Sequence, residues 1–110
     1  MAKQGTELEK LIIKRGDRIS NAITLHPRTG TVATLTIYAP RLDNVDGAYL
    51  MVSVDGREFV QFFHRGLVVK VLGDGATDVP LPACKAMRVQ TLTDQDEDKV
   101  FQALAQLEVD

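Results

Sequence analysis

Residues 48–63 read Ala48-Tyr49-Leu50-Met51-Val52-Ser53-Val54-Asp55-Gly56-Arg57-Glu58-Phe59-Val60-Gln61-Phe62-Phe63. Ala48, Leu50, Val52 and Val54 fall on one face of an extended chain, and Tyr49, Met51 and Ser53 on the other. That period of two predicts a strand. Asp55-Gly56 follows at once and a second apolar run begins. The pair predicts a hairpin, because Gly reaches φ > 0 without a Cβ clash. Working outward, Thr31 to Tyr38 is rich in β-branched residues and sets Ala33, Leu35 and Ile37 against Val32, Thr34, Thr36 and Tyr38. Ile19 to Leu25 alternates Ile19, Asn21, Ile23 and Leu25 against Ser20, Ala22 and Thr24. Ala86 to Leu92 sets Met87, Val89 and Thr91 against Arg88, Gln90 and Leu92. Leu67 to Leu72 is a further short strand, and Gly73-Asp74-Gly75 a turn. Pro80 and Pro82 bar a regular central strand at Val79 to Ala83, since Pro donates nothing to a ladder.

Short strands at this spacing predict an all-β chain. The expected architecture is an antiparallel β-sandwich, jelly-roll-like or Ig-like, of about seven or eight short strands. No connection is long enough for the helices of a doubly wound fold. Two segments read both ways. Phe101 to Asp110 aligns Phe101, Ala103, Ala105, Leu107 and Val109 as a strand; as a helix, Val100, Phe101, Leu104 and Leu107 form a stripe that Thr93 would cap. The strand is favoured, because the alternation runs to the last residue. Glu7 to Arg15 is too short for a stable isolated helix, so Leu11-Ile12-Ile13 is either a first strand or part of an arm. The division expected is an N-terminal arm over 1–10 and a single β-sandwich domain over 11–110.

The chain has 110 residues and a formal net charge of -2, with 45% hydrophobic and 25% charged residues. This is the size and composition of one ordinary globular domain, which folds without disulfides or metal. A single Cys excludes an internal disulfide framework. The absence of a long apolar run predicts no membrane span and no secretory leader. The near-neutral balance argues against nucleic acid. Charge is uneven along the chain: residues 1–18 carry five basic and three acidic groups, whereas 94–110 carry one basic and six acidic. Such ends either steer association or are simply solvated.

Motifs for chemistry are thin. His26 and His64 have no second ligand at metal spacing, and Cys84 has no zinc partner. Asp94-Gln95-Asp96-Glu97-Asp98 opens like an EF-hand loop. However, Lys99 stands where Gly is needed and Ala105 where the bidentate Glu belongs, leaving a solvated acidic turn or at most a weak surface calcium site. Gly73-Asp74-Gly75 lacks the rest of a phosphate-binding loop. Lys85 beside Cys84 would lower a thiol pKa, but no His adjoins it in sequence. The carboxylate pairs Asp43/Asp46 and Asp55/Glu58 sit at turns, where Asp commonly caps backbone. The expectation is therefore no enzyme, no catalytic residue, no cofactor and no bound metal. A carbohydrate- or small-ligand-binding sandwich is the alternative from another class, although a chain without Trp offers little for stacking sugars.

Several stretches resemble a known family. Ile12 to Leu25 carries a Gly-containing turn before Ser20-Asn21-Ala22-Ile23; Ile37-Tyr38-Ala39-Pro40, Val52-Ser53-Val54-Asp55-Gly56 with Phe59, Met87-Arg88-Val89-Gln90 and Lys99-Val100-Phe101 follow. Together they resemble small β-sandwich structural proteins of tailed bacteriophage particles. The likeness spans most of the chain; the acidic Asp94 to Asp98 and the lead Met1 to Lys10 depart from it. It implies a virion component, most simply a capsid decoration or accessory head protein on the capsid surface, made in the host cytoplasm. A tail or connector component is the alternative. It also implies no catalytic residues, the major capsid protein or other particle proteins as partners, and a homo-oligomer, trimer or dimer. In that role a polar tether followed by an added strand fits Lys10, Leu11, Ile12, Ile13, Lys14 and Arg15 as the partner-binding segment.

Overall fold

A computed structural model describes residues 2–24, 33–43, 47–80 and 84–109. The described residues hold no helix. They form twelve strand segments: β1 (Ala2–Glu7), β2 (Leu11–Ile13), β3 (Ile23–Thr24), β4 (Ala33–Ala39), β5 (Ala48–Ser53), β6 (Val60–Gln61), β7 (Phe63–His64), β8 (Leu67–Val68), β9 (Lys70–Val71), β10 (Gly75–Pro80), β11 (Ala86–Thr91) and β12 (Lys99–Val109). All pairings are antiparallel. One sheet runs β1-β12-β4-β10, with β2 also on β12; the other runs β3-β11-β5-β6, with β9 also on β5. The inner rows face each other as in a sandwich. Leu11, Ile13, Leu35, Ile37, Phe101 and Ala103 come from the first sheet, and Ile23, Leu50, Val52, Val71, Met87 and Val89 from the second.

The segments outnumber the seven or eight expected strands because several strands are interrupted. Leu8 N–H donates to Ala103 O (2.9 Å), yet Leu11 pairs with Phe101, so Glu9 and Lys10 together oppose Gln102. This β-bulge divides one long edge strand into β1 and β2. Residues 2–7, within the segment read as an arm, thus lie along β12, from Ala2 opposite Val109 to Glu7 opposite Leu104. A second bulge breaks the expected Ile19 to Leu25 strand. Ser20 N–H bonds Val89 O (2.9 Å) while Ile23 pairs with Met87, leaving Asn21 and Ala22 opposite Arg88. The facing row changes there, so Ser20 and Ile23 are buried while Ile19 is exposed. Leu25 lies outside the described residues.

The Asp55-Gly56 hairpin exists, but Val52 pairs with Val60, so the loop is wider than a two-residue turn. Asp55 Oδ1 organises it, accepting the N–H groups of Arg57 (2.8 Å) and Glu58 (3.0 Å) and the Ser53 hydroxyl (3.0 Å). Pro80 is accommodated because β10 is an edge strand in which Val79 pairs with Leu35. Phe101 to Val109 is strand, and Asp110 lies outside the described residues. Its inward row, Phe101, Ala103 and Ala105, is buried against Leu11, Ile37 and Leu35 opposite it.

Candidate functional site

The inward row of β12 begins not at Phe101 but at Lys99, which lies opposite Ile13 at the open end of the sandwich. A lysine on an inward row needs counter-charges, and the chain supplies three. Lys99 Nζ lies 3.1 Å from Glu97 Oε1, 3.6 Å from Asp43 Oδ1 and 3.7 Å from Asp96 Oδ1. Its side chain is 4% exposed, whereas those of Glu97 and Asp96 are mostly in solvent. With Arg41 and Leu42 these residues line an open cleft of about 560 Å³.

Gln95, almost fully buried, holds the cleft in shape. Its Oε1 accepts the Asp43 N–H (3.2 Å), its Nε2 donates to Thr93 O (3.0 Å), and its backbone exchanges bonds with Gly16 N–H (2.8 Å) and Asp17 O (3.1 Å). Asp96 N–H donates to Asp43 Oδ2 at 2.6 Å. That bond is the largest influence on Asp43 and, with Lys99, outweighs partial burial to hold its carboxyl below the usual range. For Lys99, burial opposes the charge, but the hydrogen bond to Glu97 and the fields of Asp43, Glu97 and Asp96 prevail and hold the ammonium above its ordinary range. Both shifts lead away from neutrality. A catalytic base or nucleophilic lysine needs the reverse. The cleft is chemically a clasp: it locks the β11–β12 connection onto the residues after β4.

The sequence-derived candidates do not converge. Asp94 pairs with Arg18 Nε (2.7 Å), Asp98 accepts the Arg15 N–H (2.8 Å), and Asp96 turns to Lys99. Among the described residues no group of three or more His, Cys, Asp or Glu could hold a metal ion. Burial raises the pKa of the half-buried Cys84, whose Sγ donates to Ala86 O (3.3 Å), so Lys85 does not produce a thiolate. Asp55 serves the backbone of its own loop, and those N–H donors lower its pKa. His64 is half-buried in the β7–β8 hairpin. His26 and Asp46 lie outside the described residues. Of the partner-binding segment, Leu11 and Ile13 are fully buried in the core and Ile12 is half-buried, while Lys10, Lys14 and Arg15 are on the surface.

No known family model matches the chain, and neither does any curated protein.

The most distinctive feature of the surface is a hairpin that sequence reasoning left as two separate runs. β5 is shared: Ala48 and Tyr49 pair with β9, and Met51 and Val52 with β6. Leu50 is the branch point, donating to Val69 O (3.2 Å) and accepting from Phe62 N–H (2.9 Å). Beyond it β7 and β8 pair only with each other, so the hairpin stands off the sheet edge. Arg65 (φ 55°) and Gly66 (φ 79°) turn it, both at positive φ as a two-residue turn of the I′ kind demands. The signal available was the Gly between two apolar runs; Arg at the first turn position masked it. Phe63 (57% exposed) and Leu67 (73%) are displayed near its tip on opposite faces, since Phe63 lies opposite Val68 and Leu67 opposite His64.

Proposed function

We propose that the chain is a non-enzymatic structural protein of a tailed-phage particle, a capsid decoration protein that docks on the lattice of the major capsid protein. The observation that carries this reading is the projecting β6–β9 hairpin. Phe63 and Leu67, one on each face of this protrusion, gain nothing for the fold and leave apolar surface on both sides of the tip, which a partner that grips the hairpin covers. Lys10, Lys14 and Arg15 give a second contact surface at the other lateral edge, since β2 runs against β11 and the hairpin base against β10. Two docking elements on opposite edges suit a molecule that bridges neighbours on a lattice, where weak identical contacts multiply. The Asp43–Asp96–Glu97–Lys99 clasp supports the same reading, because its charged groups are engaged with one another.

The test is co-sedimentation of the full chain with intact heads of the phage that encodes it, over a concentration series. The wild type is expected to saturate at a fixed copy number per head. Phe63→Ser/Leu67→Ser is expected to bind about tenfold more weakly or worse, with an unchanged melting curve. Wild-type chain remaining in the supernatant throughout, or a double variant that saturates like wild type, overturns the reading.

A further inference from the structure

We propose that β1 is the edge through which two copies of this chain pair, strand to strand, about a two-fold axis at Gly5. The proposal stands on backbone register and is independent of where the protein acts.

The bond from Leu8 N–H to Ala103 O fixes the phase of the β1–β12 ladder. Opposed residues of an antiparallel pair alternate between exchanging hydrogen bonds and facing away. With Ala2 opposite Val109 and Glu7 opposite Leu104, residues 2, 4, 6 and 8 exchange bonds with β12. The N–H and C=O groups of Lys3, Gly5 and Glu7 therefore point out of the sheet. Past the bulge the same edge is closed. Asn21 Oδ1 accepts the Ile12 N–H (2.7 Å) and its Nδ2 donates to Lys10 O (3.1 Å), so one side-chain amide replaces a neighbouring strand and joins β2 to the opposite sheet. The far edge of the first sheet, β10, ends in Pro80 and runs against β9. β1 has neither a Pro, a bulge nor a capping side chain among the described residues. Its guards are the charges of Lys3 and Glu7, which oppose pairing with an arbitrary strand but admit one that answers both charges.

The sequence of the edge indicates its occupant. Lys3-Gln4-Gly5-Thr6-Glu7 is complementary to itself when reversed about Gly5. Outward-pointing groups pair only with outward-pointing groups, so the permitted registers move in steps of two residues. The register that sets Gly5 opposite Gly5 of the second copy is the one that engages Lys3, Gly5 and Glu7 together, each pair exchanging two hydrogen bonds. The same register sets Lys3 opposite Glu7, an opposite-charge pair, twice over. A slide of two residues in either direction leaves Lys3 or Glu7 opposite Gly5 and loses bonds. Hydrogen-bond count and charge thus select one register independently. The product is an isologous dimer in which the two first sheets become one, in the order β10-β4-β12-β1 and then the same four reversed.

Sedimentation equilibrium and native mass spectrometry of the full chain test this, with circular dichroism confirming the fold of every variant. A strand-edge contact of this size predicts a dissociation constant on the order of micromolar. Because Lys3 also lies opposite Glu108 of its own chain, the variants are made in a Glu108→Gln background; there Lys3→Glu and Glu7→Lys each place like charges opposite one another across the dimer and are expected to weaken it about tenfold, and the double exchange Lys3→Glu/Glu7→Lys is expected to restore it. Amide exchange of residues 3, 5 and 7 should slow as protein concentration rises, whereas that of residues 4 and 6 should not change. A wild type that stays monomeric, a trimer, capture of a foreign strand in place of self-pairing, or a double variant that fails to restore dimerisation overturns the proposal.

Discussion

Phe101→Ala, set beside Val100→Ala, tests the inward row of β12. Among the described residues Phe101 is the largest fully buried side chain, with Leu11 opposite it and Ile37 opposite Ala103, the next residue of the row. Val100, its immediate neighbour, is 41% exposed on the outer face opposite Ile12. Truncating a fully buried Phe removes its transfer free energy and leaves a cavity that a packed sandwich closes only in part, costing about 3–5 kcal/mol. Truncating a half-exposed Val at the surface costs roughly 0.5 kcal/mol. Melting entropy near 2.1 cal/mol/K per residue gives about 230 cal/mol/K for this chain, so Phe101→Ala should lower Tm by about 13–22 °C and Val100→Ala by only ~2 °C. Urea unfolding followed by circular dichroism should give a lower midpoint and an unchanged slope. A helix over the same residues would place Val100 and Phe101 on one buried stripe and make the two variants comparably severe. Equal losses, or a Phe101→Ala loss below ~1 kcal/mol, would refute the alternation on which the sandwich core is built.

Gly47→Ala should cost more than about 2 kcal/mol, because φ is positive and the new Cβ would meet the Val71 carbonyl oxygen at 2.5 Å. Gly16→Ala, at φ +84° but with open space around it, should cost only about 1 kcal/mol, and thermal melts of both variants check the contrast. Asp43 has its folded pKa below the ordinary 3.8, so its contribution is present above that value and is lost as pH falls through the depressed one. Acid titration of stability should therefore show a flatter acid limb in Asp43→Asn. Lys99 has its folded pKa above the ordinary 10.5, so its contribution is present below that value and is lost as pH rises through the raised one; Lys99→Met should flatten the alkaline limb. Cys84, with its pKa raised by burial, should react with an aromatic disulfide reagent at neutral pH about tenfold more slowly than in denaturant, and a native rate equal to the denatured one would contradict the burial.

The sequence was most legible where one strand face is wholly apolar. Leu35/Ile37, Ala48/Leu50/Val52 and Met87/Val89 lie inward as their period of two requires. It was least legible where a bulge changes the phase. Ile19, Asn21 and Ile23 read as one row, but the extra residue opposite Arg88 sends Ser20 inward, where its hydroxyl accepts the Val89 N–H (3.0 Å), and frees Asn21 to cap β2. Bulges depend on the partner strand, and no single-strand pattern contains the partner. β1 was hidden for a related reason: Ala2 to Glu7 has no apolar face, and its strand state follows from β12 beside it. Lys99 was readable in principle. Extending the row Phe101, Ala103, Ala105 backwards places a lysine inside, and a lysine there demands carboxylates; Asp96 and Glu97 were adjacent, while Asp43 required the fold.

The same topology alters the meaning of the charge pattern. Along the chain, a basic front and an acidic back look like two poles able to orient the molecule in a field. In the fold β2 lies on β12, and the acidic connection preceding β12 lies over the basic turn following β2. Arg18 meets Asp94 at 2.7 Å, the Arg15 N–H meets Asp98, and Gly16 and Asp17 exchange backbone bonds with Gln95. Arg18 and Asp94 offset one another directly, and the backbone bonds bring the rest of the acidic connection alongside the basic turn, which weakens the field either end presents to a distant partner. Exposed pairs of this kind add little to stability individually; their effect here is to fix where the connection lies, which in turn delivers Asp96 and Glu97 to Lys99. Steering by the basic front of the chain therefore reduces to groups the clasp does not engage, such as the ammoniums of Lys10 at the bulge and Lys14 at the other end of β2. Those lie on the edge that β1 continues, so their charge acts beside the edge where two copies are proposed to pair.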